Sequence, residues 1–276
     1  MIRKFFLFCL LLGTATSHAH ARELQTPLDA SSPWNLNYTK SSCELRRSFG
    51  TGDAQILFII VQGVKFGTLE LILFTPKVGG KQINWKADIA LRGAAAKVKK
   101  HATVYPSQEN GKSVWRIYNL ETEFLKSDRQ TDILDVKIGS RAWVSLELES
   151  LADARKALET CQRELLKSFD MDFDTLVSLT RHPEPKGESG RWVTTDDYPP
   201  AARREKLEGE TEIKVDVSER GKVADCTIIS SSGHEILDQA VCLNVRNRAN
   251  FKPAVDSDGK STSGVWISRT RWQVPR

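Results

Sequence analysis

Tyr198-Pro199-Pro200-Ala201-Ala202-Arg203-Arg204, then Gly221-Lys222-Val223, then Ser230-Ser231-Ser232-Gly233-His234-Glu235-Ile236-Leu237-Asp238 punctuate the last third of the chain, and their order decides how it folds. Proline at an early helical position, where a missing donor costs nothing, starts a short helix over 199–206. Thr211, Ile213, Val215 and Val217 alternate with charged residues as a half-exposed strand does, and Gly221 turns it into a second strand over 223–229. Ser232, three residues before Glu235, has the spacing of a capping box. Leu237, Ala240, Val241, Asn244 and Val245 then form a largely apolar helical stripe. Phe251-Lys252-Pro253-Ala254 leaves that helix, Gly259 turns, and 265–274 makes a last strand. The result is a small α+β domain over 191–276 in the order helix, strand, strand, helix, strand.

Working upstream, residues 182–190 (His-Pro-Glu-Pro-Lys-Gly-Glu-Ser-Gly) carry no apolar side chain beyond their prolines, so 181–190 is read as a semi-stiff linker. Residues 22–180 read as a β-rich domain ending in a helix. Segments 55–61, 68–74, 83–91, 114–120, 133–138 and 142–148 are rich in β-branched and aromatic residues. Turn signals separate them at Gly50-Thr51-Gly52-Asp53, Pro76, Gly79-Gly80 and Asn110-Gly111. An antiparallel sandwich or partly open barrel is expected. Over 150–169 the period becomes helical, with Leu151, Ala154, Leu158, Cys161, Leu165 and Phe169 on one side, Ser150 as N-cap and Asp153 in the first turn.

At the other end, Arg3 and Lys4 precede an apolar run over 5–12 and the small-residue site Ala19-His20-Ala21, the pattern of a cleavable secretory signal over 1–21. The run is far shorter than the roughly 20 residues that span a bilayer. A periplasmic protein without a stable membrane span is expected. Losing Arg3 and Lys4 lowers the formal charge from +5 to about +3, too mild to imply nucleic acid. Losing Cys9 leaves Cys43, Cys161, Cys226 and Cys242, an even set that reads as two disulfides in an exported protein. Of the three pairings, the domain division favours Cys43 with Cys161 and Cys226 with Cys242. In the chain-entropy model the long loop is worth about 4.7 kcal/mol and the short one about 3 kcal/mol.

The C-terminal third resembles the C-terminal domain of TonB-family energy transducers. The resemblance rests on Tyr198-Pro199 with Ala202-Arg203, Gly209, Gly221-Lys222-Val223, Ser231-Ser232-Gly233 with Leu237-Asp238-Gln239-Ala240, Phe251-Lys252-Pro253-Ala254 and Asp258-Gly259-Lys260. It implies binding to the periplasm-facing segment of an outer-membrane receptor, which adds as a strand beside the domain's last strand. The residues of that edge are Val265, Ile267, Ser268, Arg269, Thr270 and Arg271, with Trp272 and Val274 expected in the core and Arg269 and Arg271 exposed. Charge at those two positions serves recognition or discourages unwanted pairing. The family's uncleaved membrane helix and long proline-rich spacer have no counterpart here, which sets motor coupling apart from recognition. The β-rich domain resembles no family that its residues identify.

Chemistry is sparse. His101, His182 and His234 stand in no ligand or triad pattern. Asp170, Asp172 and Asp174 lack the glycine and terminal glutamate of a calcium loop and read as a solvated helix end, and no nucleophile motif occurs. No enzymatic activity, metal or cofactor is expected. Two functions stand: a protein-binding module whose partner is a TonB-dependent receptor segment or another envelope protein, and a β-domain binding a small molecule, lipid or glycan, with the C-terminal domain for docking or homodimerisation. A membrane-anchored energy transducer is a poorer third.

Overall fold

A computed structural model of the chain describes residues 26–77, 80–92, 96–107, 111–139 and 142–275. The signal segment, Gly79 and Asn110 of the sequence reading lie outside them. The N-terminal strands are β1 (Asn35–Tyr38), β2 (Ser42–Phe49), β3 (Ile56–Gly63), β4 (Thr68–Thr75), β5 (Ile83–Arg92), β6 (Ala96–Pro106), β7 (Ser113–Glu121), β8 (Thr131–Ile138) and β9 (Ala142–Glu149). They form one sheet, ordered β1-β2-β3-β4-β7-β6-β5-β8-β9, with every neighbouring pair antiparallel. The sheet curls into an open half-barrel, so the partly open barrel holds and the sandwich does not. Its ends are tied through an extended stretch: the Leu28 amide donates to Ser145 O, the Glu147 amide donates to Leu28 O, and the Ser31 amide donates to Ser48 O.

Alternation explains the curl's inner face. In β2, Cys43, Leu45, Arg47 and Phe49 are buried while Ser42, Glu44, Arg46 and Ser48 face outward. Phe58, Ile60, Leu71, Leu73, Trp115, Ile117, Leu134 and Leu146 fill the same core. Arg47 is tolerated because its guanidinium lies 5.2 Å from the Trp34 ring centroid and donates to Ser32 O and Glu149 O at the seam.

Helix α1 (Leu151–Lys167) closes the half-barrel with Leu151, Ala154, Leu158 and Cys161 inward, and Cys161 is bonded to Cys43 of β2. Ser150 precedes the helix in the left-handed region and makes no side-chain cap. A short helix α2 (Phe173–Ser178) follows, capped by Asp172, whose carboxylate accepts from the Thr175 amide. That is the solvated helix end read from the three aspartates.

The segment read as a linker is not free. Its Glu184–Pro185 (β10) pairs with Phe251–Lys252 (β13), and Arg181 bridges Val255. Without apolar side chains it builds no core, yet its backbone groups find partners on the neighbouring domain.

The C-terminal domain comprises α3 (Pro200–Glu205), β11 (Gly209–Val217), β12 (Val223–Ser230), α4 (Glu235–Arg248), the two-residue strands β13, β14 (Ala254–Val255) and β15 (Ser261–Thr262), and β16 (Gly264–Trp272). Its sheet runs β12-β11-β16. Ile213, Val215, Val217, Leu237, Val241, Val245 and Phe251 form the core beneath α4, and Cys226 of β12 is bonded to Cys242 of α4. The helix, strand, strand, helix, strand order is as expected. The capping box is not, because α4 starts at Glu235 behind His234. Asp238 reaches back instead, accepting from the Ser232 amide at 2.9 Å and from the Ser231, Ser232 and Thr211 hydroxyls.

Candidate partner-binding edge

Strand β16 has β11 on one side, and among the described residues no strand lies on its other side. The register with β11 places Val265 opposite Asp216, Ile267 opposite Lys214, Ser268 opposite Ile213, Arg269 opposite Glu212, Thr270 opposite Thr211 and Arg271 opposite Glu210. Side-chain parity divides the strand. Trp266 sits between Trp192 and Phe251, and Trp272 is buried against Tyr198. On the other face, Val265 and Ile267 pack on a cluster of Val64, Leu166, Met171 and Leu176 that belongs to the β-rich domain and its helices. Val274 lies past the strand's end, is partly exposed, and donates its amide to Glu208.

Arg269 and Arg271 are both exposed. Arg269 is nonetheless engaged: its guanidinium pairs with Glu210 at 3.1 Å and Glu212 at 3.4 Å, the diagonal and direct cross-strand neighbours. Burial raises the Glu212 carboxyl's pKa, and Arg269 works against that rise. The Arg269–Glu210 pair faces solvent on both sides and is worth under about 1 kcal/mol, so it orders the edge more than it stabilises the domain.

The family-like residues hold this strand in place. Gly209 begins β11 where a Cβ would lie 2.4 Å from Ser232 O. Gly221, at φ +75°, lies where a Cβ would be 2.0 Å from Phe251 O, and its own carbonyl accepts from the Phe251 amide. The Tyr198 hydroxyl donates to Leu207 O, fixing the turn from α3 into β11. Asp238 ties the start of α4 to β11. Burial alone would raise its pKa, but hydrogen bonds from Ser231, Ser232 and Thr211 hold it below the usual carboxylate range.

The β16 edge opens into a cleft of about 620 Å³ between the two domains. Trp266, Ile267, Ser268 and Arg269 line one side. The outer face of the half-barrel lines the other, with Glu44 of β2, Val61 of β3, Glu70 and Ile72 of β4, and Arg116 and Tyr118 of β7. Lys65, in the β3–β4 turn, stands at the same cleft. Sequence reading found the edge but not this opposite wall. Outward charged residues on alternating strands look like any wet sheet face, and nothing local says which domain stands before them.

Residues 195–273 match the family model described as Gram-negative bacterial TonB protein C-terminal. The match covers the C-terminal sheet and both of its helices, as the resemblance implied, and points to a TonB-like envelope protein. No curated protein and no solved structure was found to match the chain. Among the described residues, no helix is long and apolar enough to cross a membrane.

Proposed function

We propose that the protein is a non-enzymatic, periplasmic binding protein of the TonB type. It takes up an extended segment of an envelope partner, such as a TonB-dependent outer-membrane receptor, by strand addition along β16. The single observation that carries the reading is the side of β16 on which, among the described residues, no strand pairs, within a domain that matches the TonB C-terminal family. A free edge offers a row of backbone donors and acceptors to any extended chain, and alternate side chains supply selectivity. Trp266 and Trp272 anchor the strand from beneath, so its edge is presented on a fixed frame.

Successive residues of a strand aim their amides to opposite sides, so proline substitutions at neighbouring positions separate binding from folding. Of Ser268→Pro and Arg269→Pro, one removes an amide from the β11 ladder and the other an amide from the open edge. The variant that keeps the native circular dichroism spectrum and melting temperature is expected to lose capture of detergent-solubilised outer-membrane proteins from Gram-negative cells. Undiminished capture by that folded variant would sink the reading.

A further inference from the structure

The strand-addition reading leaves the half-barrel without a role, and the cleft supplies one. A chain added to β16 would lie about 4.8 Å beyond it and turn alternate side chains to each face of the extended sheet. On the face shared with Ile267 and Arg269, the added strand meets the outer surface of β2, β3, β4 and β7. Four lining residues on β16 correspond to about 13 Å of extended chain, enough for two side chains of the incoming segment to face that wall.

The charges that line the cleft on its two sides are nearly all matched by neighbours on their own side. Glu44 pairs with Arg46 at 2.5 Å, Glu70 with Arg116, and Arg269 with Glu210 and Glu212. Lys65 is different. Its ammonium donates to a neutral acceptor, Asn119 Oδ1, at 2.9 Å, and among the described residues no carboxylate lies within salt-bridge distance of it. Lys65 keeps access to solvent, but the surrounding protein lowers its pKa, Arg269 across the cleft lowers it further, and Glu212 offsets this only in part. A carboxylate entering between Lys65 and Arg269 would meet a cation that no described carboxylate pairs directly, in a setting less screened than open surface.

We propose that the half-barrel is the second wall of the peptide site, and that the strand added to β16 carries an acidic side chain received by Lys65. This rests on strand addition as the mode of binding and adds a specificity determinant from outside the TonB-like domain. The β-rich domain thereby selects among extended segments that the β16 backbone alone would accept without distinction.

The test uses the full chain and short fluorescent peptides of alternating threonine and valine. Each carries one glutamate, glutamine or lysine at either of two successive positions, so that one peptide of each pair turns that side chain toward the half-barrel. Binding is read by anisotropy. The glutamate peptide is expected to bind about five- to tenfold more tightly than the glutamine peptide in one of the two positions, and the lysine peptide more weakly than both. Lys65→Gln should abolish the difference and Lys65→Glu should reverse it, while the folded β16 proline variant should lose all three peptides. Binding that needs the β16 edge but ignores peptide charge and Lys65 overturns this proposal and leaves strand addition standing. Absence of binding, or binding indifferent to the proline, overturns both. A concentration-dependent dimer of the chain that the proline abolishes would assign the cleft to a second copy and likewise overturn it.

Discussion

Gly221 and Gly259 both adopt positive φ, +75° and +78°, yet they hold their turns for different reasons. At Gly259 a Cβ would meet nothing within 4 Å, so alanine there suffers only the left-handed backbone, a cost of about 1 kcal/mol. At Gly221 a Cβ would stand 2.0 Å from the Phe251 carbonyl oxygen, and that carbonyl belongs to a fully buried residue that cannot retreat cheaply. Gly221→Ala is therefore expected to cost about 2–4 kcal/mol by displacing Phe251 from the core or breaking its bond to the turn. Urea denaturation of the two variants side by side checks this, and equal losses would mean that the contact to Phe251 contributes nothing. The same contrast shows what a sequence motif conveys. Gly221-Lys222-Val223 signals a turn, but the requirement for glycine comes from a residue 30 positions later.

At the scale of elements, α4 is fastened at both ends by aspartates. Asp238 secures its start, and at its far end Arg248 forms a two-pronged pair with Asp197, at 2.6 and 2.7 Å, tying the helix to the turn before α3. The Arg248 guanidinium, helped by the Thr194 amide and hydroxyl and opposed by burial, holds the Asp197 carboxyl at about 2. A carboxyl whose pKa is lower folded than unfolded contributes stability that is complete above its unfolded pKa of about 3.9 and lost as pH falls toward the folded value. The stability of the chain should thus decline between about pH 4 and pH 2, and Asp197→Asn should both lower stability at neutral pH and flatten that decline. Thermal melts at intervals of pH test it; an unchanged slope in the variant would show that Asp197 plays no part. How legible the elements were depended on their charge. Strands such as β3, β4 and β8 declare themselves through Ile, Leu and Val, and the disulfide pairing followed from the domain division. By contrast, β2 reads Ser-Cys-Glu-Leu-Arg-Arg-Ser-Phe, and β6 exposes Lys97, Lys99 and His101, so their alternation is hidden under polar residues that face solvent. Edge strand β16 was legible except at its end: Trp266 and Trp272 mark its inner parity, but the strand stops at Trp272 and Val274, expected in the core, lies beyond it.

For the molecule as a whole, the reading of two domains on a semi-stiff tether understated how much they share. Leu166, Met171 and Leu176 of the helical segment are buried with Val64 of the half-barrel, and Ile229, Val265 and Ile267 of the C-terminal sheet pack against them. Lys214 of β11 crosses to donate to Phe169 O at 3.0 Å, and the Phe66 ring packs against His182 in the connecting segment. None of this is written locally, since each of these residues also fits a core within its own domain. The cleft at β16 depends on this packing, because the half-barrel can serve as a wall only if it stays where it is. Truncating a buried leucine costs about 2–5 kcal/mol. At Leu176 the loss falls on the junction rather than on either main core. Leu176→Ala is accordingly expected to convert one cooperative calorimetric transition into two, with the disulfide-tied half-barrel and the TonB-like domain melting separately. The variant should also weaken the peptide charge preference conferred by Lys65 while leaving β16-dependent binding in place. Two transitions already present in the unaltered chain, or a variant that melts as a single unit at lower temperature, would show that the junction does not couple the domains.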